Sequence, residues 1–143
     1  MDSIDKKMIS ILQKNSRVSV SKLSEELSLS RPSINERLLR LQEKGIIEAF
    51  TIRLSLPKTN RPILLIIHVS ALKVMPDEFE EYIKKEKDVL ECYRVTGESS
   101  HILKAAVQDV NSMRELIDRL IPFGLVNTST VLSAAVEYRY YEE

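Results

Sequence analysis

Residues 23 to 47, LSEELSLSRPSINERLLRLQEKGII, constrain the fold more than any other stretch of the chain. A short amphipathic helix ends in a tight turn at Leu27-Ser28-Leu29. Ser30 then stands where a helix N-cap belongs, with Pro32 inside the first turn. The helix that follows carries Ile34, Leu38 and Leu41 at i, i+4 and i+7, so it has one apolar face to bury. It turns Arg31, Ser33, Asn35, Glu36, Arg37 and Arg40 outward, donors and acceptors of the kind that read base edges and hold phosphates in a major groove. Lys44-Gly45 closes it, and β-forming residues follow. Short helix, turn, capped basic helix and strand make the layout of a winged helix-turn-helix.

The chain before this stretch supplies the rest of a small helical head. Asp2 can cap a first helix in which Ile4, Met8, Ile11 and Leu12 recur at helical spacing, broken at Asn15-Ser16-Arg17. Ser19 can cap the second helix, with Val20, Leu23 and Leu27 on one face. Arg17, before that helix, and Arg53, after the wing, are positioned to clamp phosphates. Within the third helix, Glu36 either reads a cytosine amine or pairs with Arg40 at i+4.

From Ile46 the period changes to two, which predicts a wing or linking strand. Pro57-Lys58-Thr59-Asn60-Arg61-Pro62, two prolines around turn formers, marks a junction. The expected division is a winged helix-turn-helix over 1–50, a linker strand and hinge over 51–62, and a second domain over 63–143. That second part predicts a strand over 63–72, a helix from Pro76, strands over 90–96 and 101–107, a helix capped by Asp109, and a long last strand from about Thr128 to Tyr140. The order βαββαβ is that of a ferredoxin-like sandwich, an antiparallel sheet with both helices on one face, and the whole chain is therefore α+β. Leu64, Ile66 and His68 fall on the open face by alternation. An aliphatic open face is best covered by a second copy, sheet against sheet about a two-fold axis, which makes these three residues the expected dimer interface.

Composition removes several classes of function. Residues 1–60 hold eleven Lys and Arg against seven acids, a balance of +4 that the remainder cancels to the net charge of zero. A basic first part joined to an acidic second part suits a chain of which only the first approaches a polyanion. No apolar run approaches a membrane span, and the charged start carries no signal-peptide core, so a cytoplasmic protein is expected. One cysteine, Cys92, and two scattered histidines make neither an intramolecular disulfide nor a metal site, and no cofactor is expected. No phosphate-binding glycine loop, nucleophile elbow or HExxH is present, which argues against an enzyme.

Taken together, Asp2-x-x-Asp5, Ile11-Leu12, Arg17, Leu23, Leu29-Ser30, Arg37, Leu41 and Gly45-Ile46-Ile47, followed by a βαββαβ domain with Thr96-Gly97, resemble the Lrp/AsnC family. These are the leucine-responsive, or feast/famine, transcription regulators of bacteria and archaea. The resemblance implies a sequence-specific regulator that binds double-stranded DNA as a homodimer or as a tetramer or octamer assembled from such dimers. It also implies an amino-acid or related small-molecule effector held between second domains. Carried onto this sequence, the DNA contacts fall on Ser30, Arg31, Ser33, Asn35, Arg37 and Arg40. The effector positions fall on Thr96, Gly97, Glu98, Ser99, Ser100 and His101, with Gly124, Thr128 and Thr130. From the residues alone, Ser99-Ser100-His101 reads first as a hairpin turn.

Two positions depart from the family pattern. Ser28 stands in the turn where glycine is usual, and Ser100 stands where the family usually places an aspartate suited to an amino group. A serine brings no charge, and charge-assisted hydrogen bonds are about twice as strong as neutral ones, so a weaker response to α-amino acids is expected. The alternative to a sequence-specific regulator is an architectural protein that wraps DNA with little discrimination.

Overall fold

The computed structural model describes residues 1–141, which form α1 (Ser3–Lys14), α2 (Val20–Leu27), α3 (Arg31–Glu43), β1 (Ile63–Ser70), α4 (Pro76–Ile83), β2 (Val89–Arg94), β3 (His101–Val107), α5 (Val110–Leu120) and β4 (Leu125–Thr130). Residues 1–53 with 136–141 make one unit and residues 54–135 the other.

Each head helix starts where a side chain satisfies the orphan amides of a first turn. Asp2 Oδ1 accepts from the Asp5 amide at 2.8 Å while Asp5 Oδ2 accepts from the Asp2 amide at 3.2 Å, a reciprocal capping box. Ser19 and Ser30 accept from the amides of Lys22 and Ser33. α3 ends in a Schellman motif: Gly45 sits at φ +67°, its amide donates to Gln42 O, and that of Ile46 donates to Leu41 O. α2 ends on Ser28, left-handed at φ 53°, ψ 44°. Met8, Leu12, Leu23, Ile34 and Leu41 are buried together. Removing each from water contributes about 1.5–3 kcal/mol, so helices too short to persist alone hold one another.

The expected wing differs. Over residues 46–54 only Ile47 is partly buried; Ile46, Phe50, Ile52 and Leu54 are exposed with the rest, and the segment joins no ladder among the described residues. A strand is defined by the edge it pairs with, and no segment of the described head offers one.

The second unit has the predicted βαββαβ order, with an antiparallel sheet arranged β2-β3-β1-β4. Along β1, Leu65, Ile67 and Val69 are fully buried, and they pack with Phe79 and Ile83 of α4 and Leu116 and Leu120 of α5. Leu64, Ile66 and His68 take the opposite face. There Ala106, Lys104 and Ile102 of β3 flank them on one side, and Ser129 and Asn127 of β4 flank Ile66 and His68 on the other. Lys104 bridges to Glu91 on β2 at 2.8 Å. The last strand differs from expectation: it runs Leu125–Thr130 rather than from Thr128 to Tyr140. Its pairing ends where β1 begins, with Val131 N donating to Leu64 O, and beyond that point the chain pairs with no strand among the described residues.

Candidate DNA interface and effector loop

α3 presents Arg31, Pro32, Asn35, Glu36 and Leu39 to solvent. Arg31 opens the helix, where free amides and the dipole favour anions. Asn35 lies one turn further along, with the donor and acceptor that match adenine. Leu39 follows at i+4 and is 57% exposed. It lies outside the contacts that the sequence predicts. Its signal was an apolar residue out of register with Ile34, Leu38 and Leu41, and an exposed leucine beside Asn35 can pack on a thymine methyl. Ser30 and Ser33 hydroxyls lie 2.9 Å apart, engaged with each other at the cap.

Arg37 is a correction. The sequence places it on the outward face, whereas the structure turns it toward the start of α1. There its Nη1 donates to Asp2 Oδ2 at 2.6 Å and to Asp5 Oδ1 at 2.7 Å. Arg40 Nη2 lies 3.2 Å from both Asp5 oxygens, so its partner is Asp5 rather than Glu36. Burial pushes the Asp5 carboxyl up, but Arg37 and the Asp2 amide hold it below the usual carboxylate range. The Asp5 amide and then Arg37 lower Asp2, and the two carboxylates raise Arg37. Arg17 is exposed. Arg53 lies beside Glu137 and Tyr138, with Nη2 3.4 Å from the Glu137 carboxylate and its guanidinium 5.1 Å from the Tyr138 ring centroid.

In the second unit the β2–β3 turn carries Thr96, Gly97 and Glu98 exposed, with Gly97 at φ +111°, a conformation that suits glycine. Val95 N donates to Ser100 O and closes the turn. Ser99 Oγ shares a 3.1 Å hydrogen bond with His68 Nδ1. Ser100 is engaged twice: its amide and its hydroxyl both donate to Val69 O, at 2.9 and 3.0 Å. Behind it His101 is fully buried, Nδ1 3.2 Å from Ser100 Oγ and Nε2 3.1 Å from Glu80 Oε1, its ring edge-on to Phe79.

Gly124 meets the same end of β1 from the other side. A Cβ there would lie 2.6 Å from Ser70 O, so close backbone packing alone requires glycine. Ser99, Ser100, His101 and Gly124 are thus gathered around the end of β1. Thr128 and Thr130 are not: they pair with Ile67 and Leu65 and share the helix-facing side. Thr130 Oγ1 lies 3.9 Å from Met113 Sδ, and Thr128 Oγ1 is buried without a hydrogen-bond partner among the described residues. A groove of about 460 Å³ between α4 and β2, floored by Ile83, Val89 and Cys92, is lined by none of the expected effector residues.

A capped helix-turn-helix with a polar outward face, followed by an antiparallel α/β sandwich, defines a DNA-binding transcription regulator with a separate second domain. Residues 1–48 match the family described as winged helix-turn-helix DNA-binding, and residues 64–141 match the Lrp/AsnC ligand binding domain. The chain belongs to the Lrp/AsnC family of transcriptional regulators, and it is not an enzyme. It is 28% identical to the HTH-type transcriptional regulator LrpC of Bacillus subtilis over 133 residues, 93% of this chain and 92% of that one. The LrpC structure superposes with a TM-score of 0.91 over 96% of this chain and 99% of LrpC. Identity to the leucine-responsive regulatory protein of Haemophilus influenzae is 32%, over 82% of this chain and 72% of that protein. A transcriptional regulator of Neisseria meningitidis, solved as a complex with L-methionine, is 28% identical with a TM-score of 0.91, covering 99% of this chain and 96% of its own. Among the described residues no helix is long and apolar enough to cross a membrane.

Proposed function

We propose that the chain is a one-component cytoplasmic regulator that reads a two-fold DNA site as a dimer or an oligomer of dimers. The observation that carries this reading is the exposed face of α3, where Arg31, Asn35 and Leu39 follow one another by turns of the helix. Arg31 meets a phosphate or a guanine edge, Asn35 an adenine, and Leu39 a thymine methyl; Arg17 supplies backbone charge. Dimerisation through Leu64, Ile66 and His68 is supported by their shared place on the sheet face opposite the one on which α4 and α5 pack.

The second domain takes a small molecule at the β2–β3 turn, a reading supported by the family's ligand-binding domain and by the L-methionine complex of the Neisseria relative. The Ser100 hydroxyl is already committed to Val69 O, which supports a weaker hold on an α-ammonium group than an aspartate gives.

Selection from a random-sequence duplex library followed by footprinting tests the DNA reading. It predicts two protected half-sites about one helical turn, roughly 34 Å, apart or a multiple of it. Extended phased protection without a recovered sequence would contradict it and favour wrapping. A thermal-shift screen of the twenty amino acids tests the effector reading: one strong, saturable stabiliser would refute the weakened ammonium site.

A further inference from the structure

The exposed face of α3 explains how DNA is met, and the ion cluster at the start of α1 explains what aims that face. Asp5 is 3% exposed and its carboxylate is fully occupied. Oδ1 accepts from Arg37 Nη1 at 2.7 Å and Arg40 Nη2 at 3.2 Å, and Oδ2 accepts from Arg40 Nη2 and the Asp2 amide, both at 3.2 Å. Asp2 adds a second carboxylate, 2.6 Å from Arg37 Nη1. Two acids and two guanidiniums balance, so the cluster carries no net charge of its own. We propose that Asp5, with Asp2, positions the recognition helix for DNA reading, and that Arg37 acts on DNA through these carboxylates rather than by touching it.

The reason lies in the different directionality of the contacts. α3 also rests on the head core through Ile34 and Leu41. Apolar burial is non-directional and tolerates slip about the helix axis, whereas charge-assisted hydrogen bonds specify geometry. Arg37 and Arg40 lie one turn apart, so holding both fixes rotation as well as tilt. With Cα atoms about 2.3 Å from the axis and side-chain tips further out, a rotation of about 20° moves those tips by about 2 Å. That displacement takes Asn35 and Leu39 out of reach of the base edges they meet. The same cluster explains why acids are tolerated beside a DNA-binding surface: their charge is spent internally.

The inference rests on the reading of α3 as the DNA contact, and the experiment separates the two. Binding of the intact chain to its library-selected duplex and to a random duplex is measured across a salt series for wild type, Asp5→Asn, Asp2→Asn and Arg37→Gln. Each variant is expected to lose about tenfold in affinity for the selected duplex, the scale of one misread base pair. Random-duplex affinity and the salt slope stay unchanged, and the Arg37→Gln/Asp5→Asn double variant is no worse than either single one. Asp2 is half exposed, so Asp2→Asn, folded by circular dichroism, carries the test should Asp5→Asn fail to fold. A salt slope flattened by about 0.9 in Arg37→Gln, the mark of one lost phosphate contact, would overturn the inference. So would tighter binding by Asp5→Asn, since a freed arginine would then be reaching the backbone. Full discrimination kept by every variant overturns the inference alone; a wild-type chain that does not discriminate overturns the reading of α3 as well.

Discussion

Replacing Gly124 by alanine separates a packing glycine from a ligand-binding one. The added Cβ would lie 2.6 Å from Ser70 O, 3.3 Å from Ala71 O and 3.4 Å from Leu72 Cα. The first distance is about 0.7 Å short of an ordinary carbon–oxygen contact of about 3.3 Å. All three atoms are backbone, so no rotamer change relieves them. The segment they belong to is also held by Lys73 N donating to Phe123 O at 2.8 Å. Gly124 itself is extended, at φ 170°, a conformation alanine adopts freely, so the penalty is purely steric. Overpacking of this kind costs about 1–3 kcal/mol, or a fall of about 4–8 °C per kcal/mol for a unit of this size. Urea unfolding followed by circular dichroism should show a lower midpoint at unchanged slope, with faster amide exchange in β1 and β4 and none in α1–α3. A change under about 0.5 kcal/mol, smaller than ordinary overpacking, would refute the packing account and return Gly124 to ligand approach.

Ser28→Gly should stabilise the head by about 0.5–1 kcal/mol, the relief of left-handed strain less the added freedom of unfolded glycine; a lower melting temperature would count against it. Asp5 and Asp2 titrate below the usual carboxylate range in the fold. Their stabilisation is therefore complete above the unfolded value near 3.8 and lost as pH falls through the lower folded values. A head whose acid unfolding is unaltered by Asp5→Asn would contradict that. In the second unit, Arg119 Nε and Nη2 reach Glu86 at 2.8 and 3.0 Å, and Nη2 reaches Asp88 at 2.9 Å. Arg119→Ala should cost about 1 kcal/mol, partial exposure discounting the pairs. It should also let the Glu86 carboxyl, held low chiefly by Arg119, rise; an NMR titration of Glu86 reads this directly.

What the sequence makes legible is local. Asp2, Ser19, Ser30 and Asp109 announce helix starts because the cap and the amide it accepts lie three residues apart. The period of β1 declares its buried face because alternation is a property of one strand. What failed needed a distant partner. Residues 46–54 and the tyrosine-bearing end alternate like strands, yet an edge to pair with is not written in either segment. Arg37 is the sharpest case. Its spacing, three after Ile34 and four before Leu41, already puts it beside the buried stripe, but the carboxylates that receive it lie 35 and 32 residues away. At the effector end, Ser100 was recognisable as a departure, whereas its bond to Val69 O depends on strand pairing across 31 residues.

The most direct test of the account is the preference of the chain for its selected duplex over a random one, compared among wild type, Asn35→Ala and Leu39→Ala across salt. The account predicts that each substitution lowers the preference by about 5- to 150-fold, equivalent to about 1–3 kcal/mol per base contact, and relaxes selection at one base position. The salt slope stays as in wild type, because neither side chain neutralises a phosphate. A preference that survives both substitutions unchanged would mean that the exposed face of α3 does not read DNA.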